Sequence, residues 1–252
     1  MMIDLHGKVM IVTGGSRGIG AATCKLAAEH GSKVLVNFVN DSKSADKIVD
    51  EIAHAGGQAM AVQADVTDMS SVQEMVNRAL EAWDGIDILV NSAAIWKMAP
   101  IDRMSDSDAE ETMSLNFGGV LNCIRAVIPT MKRQKKGSII NISSTAAQRG
   151  EAFHSHYAAS KGAVNSLTKS LASELGPDGI RVNSVCPGWT YTDMTSEALG
   201  GGKDTIISET IPLRRIGEPE EPASAVVFLA SDASSYITGI SLNVNGGSVL
   251  TG

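Results

Sequence analysis

Thr13-Gly14-Gly15-Ser16-Arg17-Gly18-Ile19-Gly20 decides the fold of this chain. A short β-branched run, Val9 to Val12, leads straight into it, and a segment with helical spacing, Ala21 to Ala28, follows. Glycines let such a turn adopt positive φ and let a phosphate approach the backbone, while the start of the helix offers oriented N–H donors. A strand, a glycine turn and a helix in that order predict a dinucleotide-binding unit. The spacing is T-G-x-x-x-G-x-G rather than G-x-G-x-x-G. Gly14, Ser16, Arg17, Gly18, Ile19 and Gly20 are therefore candidate cofactor contacts.

Working outward, the same alternation continues. Short apolar runs at Val34 to Val36, Ile86 to Val90, Ser138 to Ile142 and Ile180 to Val185 are separated by helical spacing at Ala45 to His54 and Val72 to Trp83. That order predicts right-handed βαβ crossovers. The expected fold is α/β: one doubly wound Rossmann-type domain over residues 1–252, with a parallel sheet of about seven strands and helices on both faces. Near-continuous apolar strands fit a sheet buried on both sides. Asp106 to Lys136 reads as one long helix, with Pro129 as its kink or late break. Trp189 to Glu221 holds Gly200, Gly201, Gly202 and Gly217 and has weak periodicity, which predicts a substrate loop at about 189–221.

Composition narrows the function classes. In 252 residues, 21 basic side chains face 28 acidic ones, a net of −7, which disfavours nucleic acid as a partner. The one dense basic run, Lys132, Arg133, Lys135 and Lys136, reads as the water-facing end of a helix. No apolar run is long enough for a membrane span, and the amino terminus lacks the pattern of a secretory signal. Cys24, Cys123 and Cys186 are scattered, so they read as small buried hydrophobes in a reducing compartment, with no metal site. The expected location is the cytoplasm.

The second strand indicates which dinucleotide. An NAD-binding site places an acid near its end to hold the ribose hydroxyls. Here the strand ends Val36-Asn37-Phe38-Val39-Asn40, without one, and Arg17 supplies a cation to meet a 2′-phosphate. The expectation is NADP(H) rather than NAD(H), with Asp41 the one acid nearby.

Only three tyrosines occur, and Tyr157 alone has a lysine, Lys161, one helical turn on. Chance produces such a pair in about one sequence of this composition in seven, so the spacing needs support. Ser144 supplies it, at the end of the strand Ile139 to Ser143, where parallel sheets bind ligands. Hydride transfer to a carbonyl leaves an alkoxide that needs a proton from a nearby acid. Tyrosine, with pKa about 10, is a poor donor near neutrality. An ammonium roughly 4 Å away contributes up to about 4 kcal/mol at an effective dielectric of 20, enough to bring Tyr157 toward neutral pH. Ser144 would then hydrogen-bond the substrate oxygen.

T-G-G-S-R-G-I-G, the strand-end Ser144 and Y-A-A-S-K together resemble the short-chain dehydrogenase/reductase family, over essentially the whole chain. The resemblance implies the interconversion of a small carbonyl compound and its secondary alcohol, with Asn116, Ser144, Tyr157 and Lys161 as the catalytic set. It implies cofactor contacts at Asp65 and Val66 and at Asn91 and Ala93 of Asn91-Ser92-Ala93-Ala94. Tyr157, Lys161, Pro187, Gly188, Thr190 and Thr192 complete them. Ser92 and Ala94 depart from the family's N-N-A-G pattern, and Thr190 stands where an apolar residue is common. Asn243-Val244-Asn245-Gly246-Gly247 resembles the last strand, which implies a homotetramer. Similar sequences include 3-oxoacyl-carrier-protein reductases, the alternative activity. A dinucleotide-binding redox regulator without turnover is an alternative from another class, disfavoured by the complete catalytic set. His154 and His156 need no catalytic role, and Trp96 and Trp189 follow strands that end near the pocket.

Overall fold

The computed structural model describes residues 3–250. Strand β1 (Val9–Thr13) is followed by α1 (Gly18–Glu29), β2 (Lys33–Phe38), α2 (Ser42–His54), β3 (Gln58–Gln63), α3 (Met69–Trp83) and β4 (Ile88–Asn91). The chain continues through α4 (Asp106–Met113), α5 (Gly119–Gln134), β5 (Gly137–Ile142), the short α6 (Ala146–Arg149), α7 (Ser155–Leu175) and β6 (Ile180–Pro187). After α8 (Ser196–Leu199) and α9 (Lys203–Glu209), α10 (Glu220–Ala230) leads to β7 (Ser241–Val244). Helix starts follow side-chain chemistry: the Asp41 carboxylate accepts the Ser44 N–H at 3.0 Å, and Asp68 that of Ser70 at 3.0 Å.

The seven strands pair in parallel in the order β3-β2-β1-β4-β5-β6-β7. Because successive strand residues face opposite sides, two cores form. Ile11, Leu35, Leu89, Ile139 and Val182 point to one side and pack with α3, α5 and α7. Met10, Val34, Ile88, Ile140 and Val185 point to the other and pack with α1, α2 and α10. The order in which successive strands are added reverses between β1 and β4, and a crevice opens there beyond the carboxyl ends of the strands.

The segment Asp106 to Lys136 departs from expectation at a different place than Pro129. The helix is interrupted by one π-helical turn, Ser114–Gly118, in which the Gly119 N–H bonds back to the Ser114 carbonyl. Pro129 lies within α5 without ending it. Residues 189–221 are irregular apart from α8, α9 and the start of α10. Trp189 and Tyr191 exchange backbone hydrogen bonds with Gly217, both 2.9 Å, which pins the two ends of the segment together. Leu199, Ile211 and Ile216 bury themselves beneath it as a small satellite core with Trp189 and Ile207.

Candidate active site

The crevice is a cleft of about 970 Å³, and the glycine turn forms one wall. Gly14 has φ +62°, and a Cβ there would sit 2.9 Å from the Ala93 Cα. Only glycine lets β1's turn approach the chain after β4 this closely. Thr13 fixes that approach, its hydroxyl accepting the N–H groups of Ser92 at 3.0 Å and Ala93 at 3.2 Å. A Cβ on Gly20 would meet the Gly14 carbonyl at 2.2 Å, so the helix too is held against the turn. Helix α1 starts at Gly18 with no side-chain cap and no acid in its first turn. Its amino-terminal N–H groups are thus left to serve an anion at the cleft wall. Ser16, Arg17 and Ile19 line the cleft beside them, and a Cβ on Gly18 would lie 3.3 Å from the Thr192 side chain.

At the end of β2, Asn37 is buried and links three elements. Its Oδ1 accepts the Gly14 N–H at 3.2 Å, and its Nδ2 donates to the Ala64 carbonyl at 3.0 Å. Asp41 lies at the same end, where hydrogen bonds from Ser44 and then the Arg17 charge hold its carboxyl below the usual range. Asp65 and Val66 line the cleft after β3, and the Asp65 carboxylate accepts the N–H of Thr67 at 2.8 Å.

The other end of the cleft holds Ser144, Tyr157 and Lys161. Ser144 follows β5 and sits just before α6, its hydroxyl accepting the Ala146 N–H at 3.1 Å. Tyr157 and Lys161 share a face of α7 and are 7% and 3% exposed. The Lys161 ammonium donates to the Ile142 carbonyl at 2.8 Å, and the Ser143 hydroxyl donates to the Lys161 carbonyl at 3.2 Å. These bonds clamp α7 to the end of β5. Pro187, Gly188, Thr190 and Thr192 line the facing side. Gly188 allows close contact there, since a Cβ would lie 2.9 Å from Asn245.

Electrostatics at the pair differ from the expectation of an ammonium that draws the phenol toward neutrality. Burial pushes the Tyr157 phenol up to about 12, a rise that the Ser144 hydrogen bond opposes and Glu151 adds to. Burial also brings Lys161 down to about 8. The ammonium is 5.8 Å from the Tyr157 ring centroid and turned toward a backbone carbonyl. Desolvation of both groups outweighs an attraction across that gap.

Asn91 and Asn116 lie behind the cleft wall. The Asn91 amide donates to Asn141 Oδ1 at 2.8 Å, and Asn141 donates on to the Thr168 hydroxyl at 2.9 Å, a polar ladder across the core. Asn116, in the π-helical turn and fully buried, accepts the Ile95 N–H and donates to the Ile95 carbonyl, both at 2.9 Å. It also donates to Ser160 Oγ at 3.2 Å, and Ser160 donates to the Tyr157 carbonyl at 2.7 Å. Ser160, Asn37 and Thr13 are site-building residues that motif reading passed over. A polar residue inside or ending a buried apolar run was the available signal. At the cleft mouth Trp96 stacks on His154, with centroids 4.4 Å apart and planes at 7°, and meets Trp189 edge-on at 5.9 Å.

Among the described residues no helix is long and apolar enough to cross a membrane. The family model described as enoyl-(acyl carrier protein) reductase matches residues 14–249. The chain is 43% identical over 250 residues to a 3-oxoacyl-[acyl-carrier-protein] reductase of Synechocystis, covering 99% of this chain and 100% of that protein. It is 39% identical over 246 residues to 3-oxoacyl-[acyl-carrier-protein] reductase FabG of Thermotoga maritima, covering 98% and 99%. The crystal structure of a dehydrogenase/reductase from Sinorhizobium meliloti matches it with a TM-score of 0.93 at 40% identity, covering 98% of this chain and 97% of that one.

Proposed function

We propose, for a chain that belongs to the short-chain dehydrogenase/reductase family, an NADP(H)-dependent oxidoreductase that interconverts a carbonyl and a secondary alcohol on a small molecule. One observation carries the proposal. Ser144, Tyr157 and Lys161 converge in the same cleft whose far wall is the glycine turn and the uncapped start of α1. The residues present fit a dinucleotide, because Gly14 and Gly20 leave no room for a Cβ and the first-turn amides of α1 are open to an anion.

When bound, the dinucleotide carries hydride to or from the substrate carbon. Tyr157 holds a proton firmly at ordinary pH and gives it to the carbonyl oxygen as the alcohol forms. Ser144 donates a hydrogen bond to that oxygen and stabilises its developing charge. Lys161 lies beside Tyr157, its ammonium 5.8 Å from the ring centroid, and holds the nicotinamide ribose. Asn116 acts as a positioning residue, fixing the helix of Tyr157 through Ser160 and so supporting proton resupply. Arg17 takes the 2′-phosphate, which favours NADP(H) over NAD(H). Residues 189–221 close over the substrate within one domain, and the chain assembles as a homotetramer in the cytoplasm.

The names of the curated relatives support a second reading, a 3-oxoacyl-[acyl-carrier-protein] reductase. The basic run gives that reading little help. Lys132 and Lys135 are bridged to Asp178 at 3.3 and 2.7 Å, Lys136 to Asp232, and the run precedes the amino end of β5, whereas Ser144 follows its carboxyl end. The test is Tyr157→Phe with NADPH and a ketone panel that includes an acetoacetyl thioester. Turnover should fall about 10³-fold with NADPH affinity kept, and retained turnover would end the proposal.

A further inference from the structure

Glu151 stands at the Tyr157 end of the cleft and belongs to no part of the mechanism above. It lines the cleft, with 20% of its side chain exposed, on the short loop between α6 and α7. The Trp96 side chain lies close enough to favour the charged form of its carboxylate, and His154 Nδ1 lies 3.9 Å from its Oε1. Trp96 is in turn stacked on His154 and abutted by Trp189, so the carboxylate is set in an aromatic frame. Burial holds this carboxyl above its usual range, and its field reaches the Tyr157 phenol.

A carboxylate accepts hydrogen bonds and donates none, so what it selects must carry donors. Indole surfaces beside it favour the apolar face of a ring. Arg149 is close enough to offset part of the negative charge, which lessens the advantage that a cationic ligand would have. An unbranched acyl chain offers this acceptor no donor, and an anion would be repelled. What remains is a neutral ring that bears hydroxyl groups.

Resting on the carbonyl-reductase reading, we propose that Glu151 is a specificity-determining residue that accepts a hydrogen bond from a hydroxyl on the substrate, with Trp96 and Trp189 as walls for its ring, so that the preferred substrates are cyclic hydroxyketones. Sites built to pair a substrate hydroxyl discriminate strongly against the analogue that lacks it.

The experiment compares kcat/KM with NADPH for cyclohexanone, its hydroxy derivatives and an acetoacetyl thioester, in wild type, Glu151→Leu and Glu151→Gln. Wild type should favour a hydroxycyclohexanone by about tenfold or more over cyclohexanone. Glu151→Leu should bring that ratio within about twofold, with the loss appearing chiefly in KM, and Glu151→Gln should keep part of it through its amide carbonyl. A wild-type ratio near one, a ratio unmoved in Glu151→Leu, or a preference for the thioester over every ring overturns the inference while the carbonyl-reductase reading stands. If no ketone oxidises NADPH, both fall.

Discussion

Lys161 and Tyr157 occupy one buried face of α7, yet the ammonium points at the Ile142 carbonyl, 2.8 Å away, and stays 5.8 Å from the centre of the phenol ring. Each group is therefore governed first by its own desolvation, and each is pushed toward its neutral form. Before any ligand enters, the pair is a stored proton on oxygen beside an amine that titrates near 8.

That arrangement sets a pH signature in stability. Lys161 falls from 10.5 to about 8 on folding, so between those values the unfolded chain binds more protons than the folded one. Stability from this group should then rise with pH from about 8 to 10.5, by about 3 kcal/mol in all, and show no slope below 8. Tyr157, raised from 10 to about 12, works in the opposite sense, and its contribution is lost above 10. Denaturant midpoints measured from pH 7 to 10 should climb more steeply in wild type than in Lys161→Met. Parallel curves would show that Lys161 is not titrating in this window.

Asn116 offers a stability test of the π-helical turn. Its side chain makes three hydrogen bonds while fully buried, and two of them satisfy the N–H and carbonyl of Ile95. Asn116→Ala strands both backbone groups, at a cost of about 3 kcal/mol. For a domain of this size, that is roughly 6–12 °C in Tm. A calorimetric shift under about 2 °C would mean that water replaces the amide without penalty.

The glycine turn, the strand-end Ser144 and the Tyr157–Lys161 spacing were legible in the sequence because each is local. Backbone freedom at Gly14 and one helical turn between two side chains need no tertiary information. The break in the helix after Asp106 falls at Ser114–Gly118, where the pair Gly118-Gly119 was the local signal, while Pro129, the more obvious breaker, is accommodated within α5. The runs quoted from the sequence passed over β3, since Gln58–Gln63 lies at the sheet edge with partly exposed side chains and lacks the β-branched signature. The direction of the Lys161 ammonium and the inward turn of Asn91 depend on which carbonyl or amide the fold brings within reach. Those distances arise only once β4, β5 and α7 are packed.

Gly20 and Gly176 form a matched pair for testing the proposed phosphate wall. A Cβ on Gly20 would collide with the Gly14 carbonyl at 2.2 Å, whereas one on Gly176 meets nothing within 4 Å. Gly20→Ala should force the turn apart and weaken NADPH binding about 10- to 100-fold, in line with about 1–3 kcal/mol of strain. Gly176→Ala should bind as wild type does and melt at the same temperature or slightly higher. Isothermal titration of both variants decides the matter, and equal affinities would place the dinucleotide elsewhere.

The proposed preference for NADP(H) rests on Arg17. It is exposed at the start of α1, and its field reaches Asp41 at the end of the cleft where β2 stops without an acid. The Asp41 carboxylate is engaged by the N–H of Ser44 at 3.0 Å and by the Ser44 hydroxyl at 2.6 Å, so it caps α2 and leaves the guanidinium to an incoming anion. A charge-assisted hydrogen bond to a doubly charged phosphate is among the stronger polar contacts, and only the phosphorylated dinucleotide offers it. Arg17→Ala should raise KM for NADPH about tenfold, or about 1.4 kcal/mol, and move KM for NADH less than twofold. The NADPH effect should shrink as ionic strength rises, because the contact is exposed. Steady-state kinetics with both reduced dinucleotides at low and high salt measure each term. An equal loss for NADPH and NADH would assign Arg17 to the pyrophosphate shared by both, and the preference for NADPH would then have to come from another residue.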